Sequence, residues 1–293
     1  MYLSNLCVLF IFCSGTAFAG ITLPQADGSS LELPAPATRL ITLSPHLAEL
    51  VFAAGAGSHL IATVEYSEYP EAAAQAPRIG DAFRIDIERI VSLKPDLVIA
   101  WDSGNPRQAI EQLRALNLPV WTVEIRELAE IATVIESIGN ASAEEAHAGA
   151  AAAGFRRRME ILTRAYDSRP PLDYFYQVAA RPLFTINGEQ LISKGLSLCG
   201  GRNIFGQQPG LAFQVSHEAV IAANPAALFA PVTENEPDPL SSWLEWPGMR
   251  AVQHNALFLL PADKISRATP RILHALELAC GLLDGLREQM SND

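Results

Sequence analysis

Basic residues are scarce in this 293-residue chain: 21 Lys and Arg stand against 32 Asp and Glu, a formal charge of −11. No Lys/Arg cluster is present to displace phosphate counterions, which argues against nucleic acid as a partner. The same balance argues against a protein spread on an anionic membrane. Long apolar runs are also missing. The longest, Leu6 to Cys13, falls far short of the roughly 20 residues a transmembrane helix needs. Cysteine is rare, with four residues, and neither a CxxC pair nor a Cys/His ladder occurs, so redox catalysis and structural zinc lack their ligands. The six histidines are scattered, whereas a bare zinc or manganese ion needs three or four converging donors. No GxSxG elbow, GxGxxG loop or P-loop appears. Ser44 follows a strand-like run, but Thr-Leu-Ser-Pro-His has no elbow glycines. The chain reads as a non-enzyme, with a secreted hydrolase as the alternative from another class.

What is present is apolar: 49% of residues are hydrophobic, enough for sizeable cores, and the length allows two domains at about 150 residues each. Leu6 to Cys13 has the length of a signal-peptide h-region, and Ala17-Phe18-Ala19 supplies the small-x-small pattern before a cleavage site. Export with cleavage after Ala19 is expected; a buried N-terminal strand is the other reading. Cleavage leaves two cysteines, Cys199 and Cys280. In an oxidising compartment they read as one disulfide, against two buried thiols. A loop of roughly 80 residues is worth about 4.5 kcal/mol in the chain-entropy model.

From Arg39 onward strands and helices alternate. Arg39 to Leu43 is β-rich, and Leu47 to Ala54 reads as a helix stopped by Gly55 and Gly57. Asp86 to Leu93 is helical and ends at Pro95, and Leu97 to Trp101 is a continuous apolar strand of the kind buried on both faces. Gln108 to Leu116 is helical, Pro119 to Val123 extended, and Leu128 to Ile138 helical again. This alternation predicts an α/β domain. Ser142-Ala-Glu-Glu145 then has the form of a capping box. It opens an Ala-rich helix to Asp167, with Phe155, Met159, Leu162 and Tyr166 on one stripe, about 39 Å long.

The second half resumes with a strand over Leu172 to Val178 and a helix over Glu189 to Leu198. It also repeats the first: Asp86 to Ala100 aligns without a gap on Ser216 to Ala230, each with an N-cap, a Glu two residues later, a Pro and a buried strand. The predicted organisation is a signal peptide (1–19), an N-terminal segment (20–38) and an α/β lobe (39–141), then a backbone helix (142–168) and a second α/β lobe (169–293). Two Rossmann-like lobes on one helix leave a cleft between them, where small molecules bind.

These residues resemble the periplasmic binding proteins of ABC importers with a helical backbone, and among them the vitamin B12 receptors. The resemblance rests on Arg39-Leu-Ile-Thr-Leu-Ser-Pro45, Glu49-Leu-Val-Phe-Ala-Ala-Gly55 and Tyr66-Ser-Glu-Tyr-Pro70, then Glu88 through Trp101 and Gly104-Asn105. In the second lobe it rests on Cys199-Gly-Gly-Arg-Asn-Ile-Phe205, Gln214-Val-Ser216 and Arg267-Ala-Thr-Pro-Arg271. It implies a periplasmic monomer that binds a cobalamin-like corrinoid, carries no cofactor or metal of its own, and delivers to a permease dimer with its ATPase subunits. It makes Tyr66, Trp101, Phe184, Asp263 and Arg267 candidates for the cleft wall, with aromatic area for a flat macrocycle and polar groups for orientation. Core packing is the alternative for Tyr66 and Trp101, and a mutual surface ion pair for Asp263 and Arg267.

Two ligand-stacking tryptophans of those receptors fall here on Ala82 and Ala212, with Phe83 and Phe213 next door as candidate replacements. His46, in the loop after the first strand, either touches a ligand metal or simply sits near a helix start. The resemblance also implies that Glu88 and Glu218, matched in the repeat, dock onto arginines of the two permease subunits. The same architecture carrying an iron-siderophore is the nearest rival. Arg84 and Arg267 are the candidate cleft cations for such an anionic ligand. Haem receptors offer an iron-binding Tyr where this chain has Gly80-Asp81-Ala82-Phe83.

Overall fold

The computed structural model describes residues 20–234 and 236–292; the expected signal peptide, residues 1–19, lies outside them. The chain opens with a hairpin, β1 (Ile21–Pro24) and β2 (Ser30–Leu33), that drops Leu23 and Leu33 into the core. Then come β3 (Leu40–Thr42), α1 (Pro45–Ala53), β4 (Leu60–Ala62), α2 (Glu71–Ala74) and α3 (Ile87–Leu93). β5 (Leu97–Trp101), α4 (Arg107–Ala115) and β6 (Val120–Val123) complete the first lobe's sheet. Two helices follow, α5 (Leu128–Ser142) and α6 (Glu145–Tyr166). The second lobe runs through β7 (Leu172–Tyr176), β8 (Ala179–Ala180), β9 (Leu183–Ile186), α7 (Leu191–Ser197), β10 (Gly201–Asn203) and β11 (Ala212–Gln214). It ends with α8 (His217–Ala223), β12 (Ala227–Val232), α9 (Arg250–Gln253), β13 (Leu257–Pro261), α10 (Ala262–Ile265) and α11 (Ile272–Asn292).

Both lobes are built on a four-stranded parallel sheet, ordered β4-β3-β5-β6 in the first and β10-β7-β12-β13 in the second. Counted within each lobe, the order is the same, second-first-third-fourth. The repeat seen in the sequence is therefore a repeat of topology. Its two copies match in detail: Asp86 and Ser216 each cap a helix through a side-chain oxygen. Lys94 and Asn224 each end it in the left-handed conformation, at φ 46° and 45°. A small antiparallel sheet, β11-β9-β8, is an addition of the second lobe.

The strands β3, β5, β6, β7 and β12 bury both faces along most of their length, as their apolar runs predict. In β5, Leu97 and Ile99 join the core shared with the helices, while Val98 and Ala100 join a separate cluster under α3 and α4. The shared core is continuous from the hairpin through α5 and α6 to α11. On α6 the expected stripe faces it, with Phe155 and Leu162 buried and Met159 and Tyr166 packed alongside.

The start of the connecting helix differs from expectation. Ser142 does not open it; the apolar stripe of α5 carries that helix through Ser142, whose hydroxyl donates back to Ile138 O. Ala143 turns left-handed and α6 begins at Glu145, which gives a length of about 33 Å. The capping box of this region belongs to Glu127 and Glu130, at the start of α5. Cys199 and Cys280 form the disulfide, joining the end of α7 to α11 across 81 residues, with their Cα atoms 5.0 Å apart. No helix of the described residues is long and apolar enough to cross a membrane.

Candidate ligand-binding cleft

The carboxyl ends of both parallel sheets border one cavity of about 670 Å³. In each sheet the strand order reverses between the first and third strands, and the crevice outside such a switch point is where open α/β sheets bind ligands. From the first lobe come Ser44 and His46 after β3, Tyr66 and Glu68 after β4, Trp101 as the last residue of β5 and Glu124 after β6. Opposite lie residues 189–192, Thr233 after β12, and Ala262, Asp263 and residues 265–268 after β13.

Local chemistry fixes the first wall. Asn105 ties three loops together: its side-chain oxygen accepts from Trp101 N, and its amide donates to Leu43 O and Ala82 O. Gly104 lies under the Trp101 ring, so closely that a Cβ there would fall 1.9 Å from it. The indole therefore needs glycine at that position, and it lies perpendicular to the His46 ring with the ring centroids 5.3 Å apart. Tyr66 sits at φ 65°, a conformation uncommon for a bulky residue, and the residue is 70% exposed where it borders the cavity. Burial, reinforced by the Arg267 charge, pushes the His46 pKa down to about 4, so the ring is neutral at ordinary pH.

A charged clasp that sequence reasoning did not identify joins the two lobes beside the cavity. Glu49 on α1, with its side chain 2% exposed, receives Arg267 at 2.7 Å and two nitrogens of Arg271 at 2.8 and 3.0 Å. Arg271 also donates to Asp263 at 2.6 Å and lies 4.0 Å over the Tyr69 ring. Arg267 sends its remaining arm to Tyr66 O at 2.9 Å. Asp263 and Arg267 thus hold separate partners rather than each other. The only signal in the sequence was a carboxylate within the apolar run of α1, since a charge buried there must be paired.

Of the expected wall residues, Tyr66, Trp101, Asp263 and Arg267 line the cavity together. Phe83 lies on the loop after Gly80 with 72% of its surface exposed. Phe184 and Phe213 sit on β9 and β11, where the pairing of Phe213 with Thr185 and of Gln214 with Phe184 puts the two rings on opposite faces. Phe213 packs edge-on against Phe205, which meets Phe175 of the lobe core. Phe184 is half-buried on the face it shares with Ala212. Arg84 is exposed on the same loop as Phe83.

Glu88 and Glu218 are exposed in the first turns of α3 and α8. Each helix runs back before a central strand, so both first turns lie at the carboxyl edge of their sheets. The Ser216 hydroxyl, bonded to Glu218, holds that carboxyl below its ordinary range. Among the described residues no three His, Cys, Asp or Glu converge to hold a metal ion.

A family model for periplasmic binding proteins matches residues 40–264, which takes in both sheets and the cavity lining as far as Asp263. The chain belongs to the periplasmic binding proteins. Within this family it is 38% identical over 262 residues to the vitamin B12-binding protein of Vibrio cholerae, covering 89% of this chain and 94% of that one. To the Yersinia pestis protein of the same name it is 37% identical over 263 residues, with coverages of 88% and 92%. The crystal structure of the Vibrio cholerae periplasmic vitamin B12 binding protein superposes with a TM-score of 0.81, covering 86% of this chain and 98% of that one. A periplasmic haem-binding protein from Roseiflexus, 21% identical, has a TM-score of 0.74 over 85% and 98% of the two chains and shares the fold.

Proposed function

We propose that this periplasmic binding protein captures a cobalamin-like corrinoid between its lobes and hands it to an ABC importer without chemical change. The supporting observation is the cavity itself. Tyr66 and Trp101 present aromatic area held in place by backbone constraints, while Asp263 and Arg267 stand across from them as fixed polar groups. That is the lining a large, flat, amide-fringed ligand requires. The likeness to vitamin B12-binding proteins at 38% identity points the same way. In this reading residues 1–19 direct export and are cleaved after Ala19. The mature chain works as a monomer in the periplasm, and Glu88 and Glu218 each meet one subunit of a two-fold permease served by ATPase subunits. The protein supplies binding and orientation, with no residue acting as a catalyst. Phe184, on the Ala212 face of its sheet, adds aromatic surface on the second lobe.

Calorimetry with cyanocobalamin and cobinamide tests the proposal directly. Saturable heat at one site per chain is the expected result. No heat with either at micromolar protein, together with binding of a ferric siderophore, transfers the assignment to that rival class.

A further inference from the structure

Ser44 is the N-cap of α1, yet its hydroxyl makes no capping bond; it is bonded to Nδ1 of His46. An N-cap serine ordinarily gives its oxygen to an amide of the first helical turn. Here that role is given up and the group orients an imidazole instead. The ring is held a second time by Trp101, edge to face. Nε2 is different: no hydrogen bond engages it among the described residues, and the residue is half-buried where it borders the cavity. His46 lines the cavity, so this free nitrogen is on offer to whatever the cavity holds. One nitrogen anchored by a hydrogen bond and the other left open is how metal-ligating histidines are prepared.

The metal in question is not a bare ion, because no second and third donor stand nearby among the described residues. A single imidazole suits a metal that arrives with its equatorial positions already filled and one axial position exchangeable. We propose that Nε2 of His46 takes that axial position on the metal of a planar chelate bound in the cleft, cobalt in the corrinoid case; the assignment rests on the corrinoid reading above. With Nδ1–H donated to Ser44 Oγ, the Nε2 lone pair faces outward. The cobalt–nitrogen bond forms as the cobalt–oxygen bond to a coordinated water breaks. The water leaves to solvent, and cobalt keeps its oxidation state. A neutral ring is needed for this, which the apolar, cation-flanked surroundings of His46 provide.

Cobinamide is the discriminating probe, because it carries no nucleotide base and any axial nitrogen must come from the protein. Electron paramagnetic resonance of bound cob(II)inamide should show each high-field cobalt line split into three by one nitrogen. Protein made with nitrogen-15 histidine should show two lines instead. In His46→Ala, and in the better-packed His46→Gln, the splitting should vanish while cobinamide still binds. Aquacobinamide affinity should then fall about 10- to 100-fold. Dicyanocobinamide, with both axial positions closed, should bind the parent and the variants alike. Bound cob(II)inamide without nitrogen splitting in the parent, or with splitting that survives in His46→Gln, overturns the assignment and leaves the corrinoid reading standing. Failure of every corrinoid to bind removes both.

Discussion

Glu49→Gln is the change that the clasp makes most informative. The variant keeps the size of the side chain and removes the charge from a site 2% exposed, where three guanidinium nitrogens converge. Removing one partner of a buried ion pair costs about 3–5 kcal/mol, because the charge left behind stays desolvated. Here both cations keep something: Arg271 retains Asp263 and the Tyr69 ring, and Arg267 retains Tyr66 O. The lower end of the range therefore applies, about 3 kcal/mol. For a chain of this length that lowers the melting temperature by about 5 °C. Thermal unfolding of the ligand-free protein by circular dichroism reads this directly. The loss should persist at high salt, since buried pairs are weakly screened. Glu136→Gln, which breaks the half-exposed pair with Arg156, should cost less than about 1 kcal/mol. A Glu49→Gln midpoint within about 2 °C of the parent would falsify the view that the clasp holds the lobes.

Three further outcomes follow from other parts of the molecule. Trp101→Ala should weaken corrinoid binding by about 1–3 kcal/mol in calorimetry if the ring stacks on the ligand; unchanged affinity with a lowered melting temperature would make it a packing residue. Glu88→Gln combined with Glu218→Gln should leave ligand affinity and melting temperature as they are and abolish transport in reconstituted vesicles. Full transport by that variant ends the docking role. Mass spectrometry without reductant should recover the Cys199–Cys280 crosslink, and reduction should lower stability by up to about 4.5 kcal/mol; two alkylatable thiols in the native protein would contradict the first part.

Strands and short helices were legible wherever burial and chain punctuation agreed. Leu97 to Trp101 reads as a two-face strand because both faces are in fact covered, and Asp86 and Ser216 read as N-caps because local side-chain oxygens do that work. Ser142 misled for the opposite reason: Ser-x-x-Glu marks a helix start only where the preceding helix has ended, and burial along α5 carries it past that point. The strands of the small sheet are two to four residues long and carry little periodicity of their own. In the cleft, Tyr66 and Trp101 were visible as aromatics at strand ends. Gly104 beneath the indole and Asn105 across three loops depend on packing between segments, which spacing along the chain does not encode. Glu49 belongs to the same class, since its partners lie more than 200 residues away.

The shared core has a meaning for how the chain can be divided. On paper the two lobes are copies of one strand order, and each looks like a module to be cut out and grafted. The apolar cluster denies that: Leu23 of the hairpin, Ile135 of α5, Phe155 of α6 and Leu283 of α11 belong to one uninterrupted body. A truncated chain ending after α5 would strip the cover from that face and leave it sticky in water. Sensor designs that fuse fluorophores to separate lobes therefore need the whole chain, with breaks placed in surface loops such as the turn at Gly210, where an added Cβ would meet nothing. The duplication sets the pattern of the strands; the unit that folds is the pair.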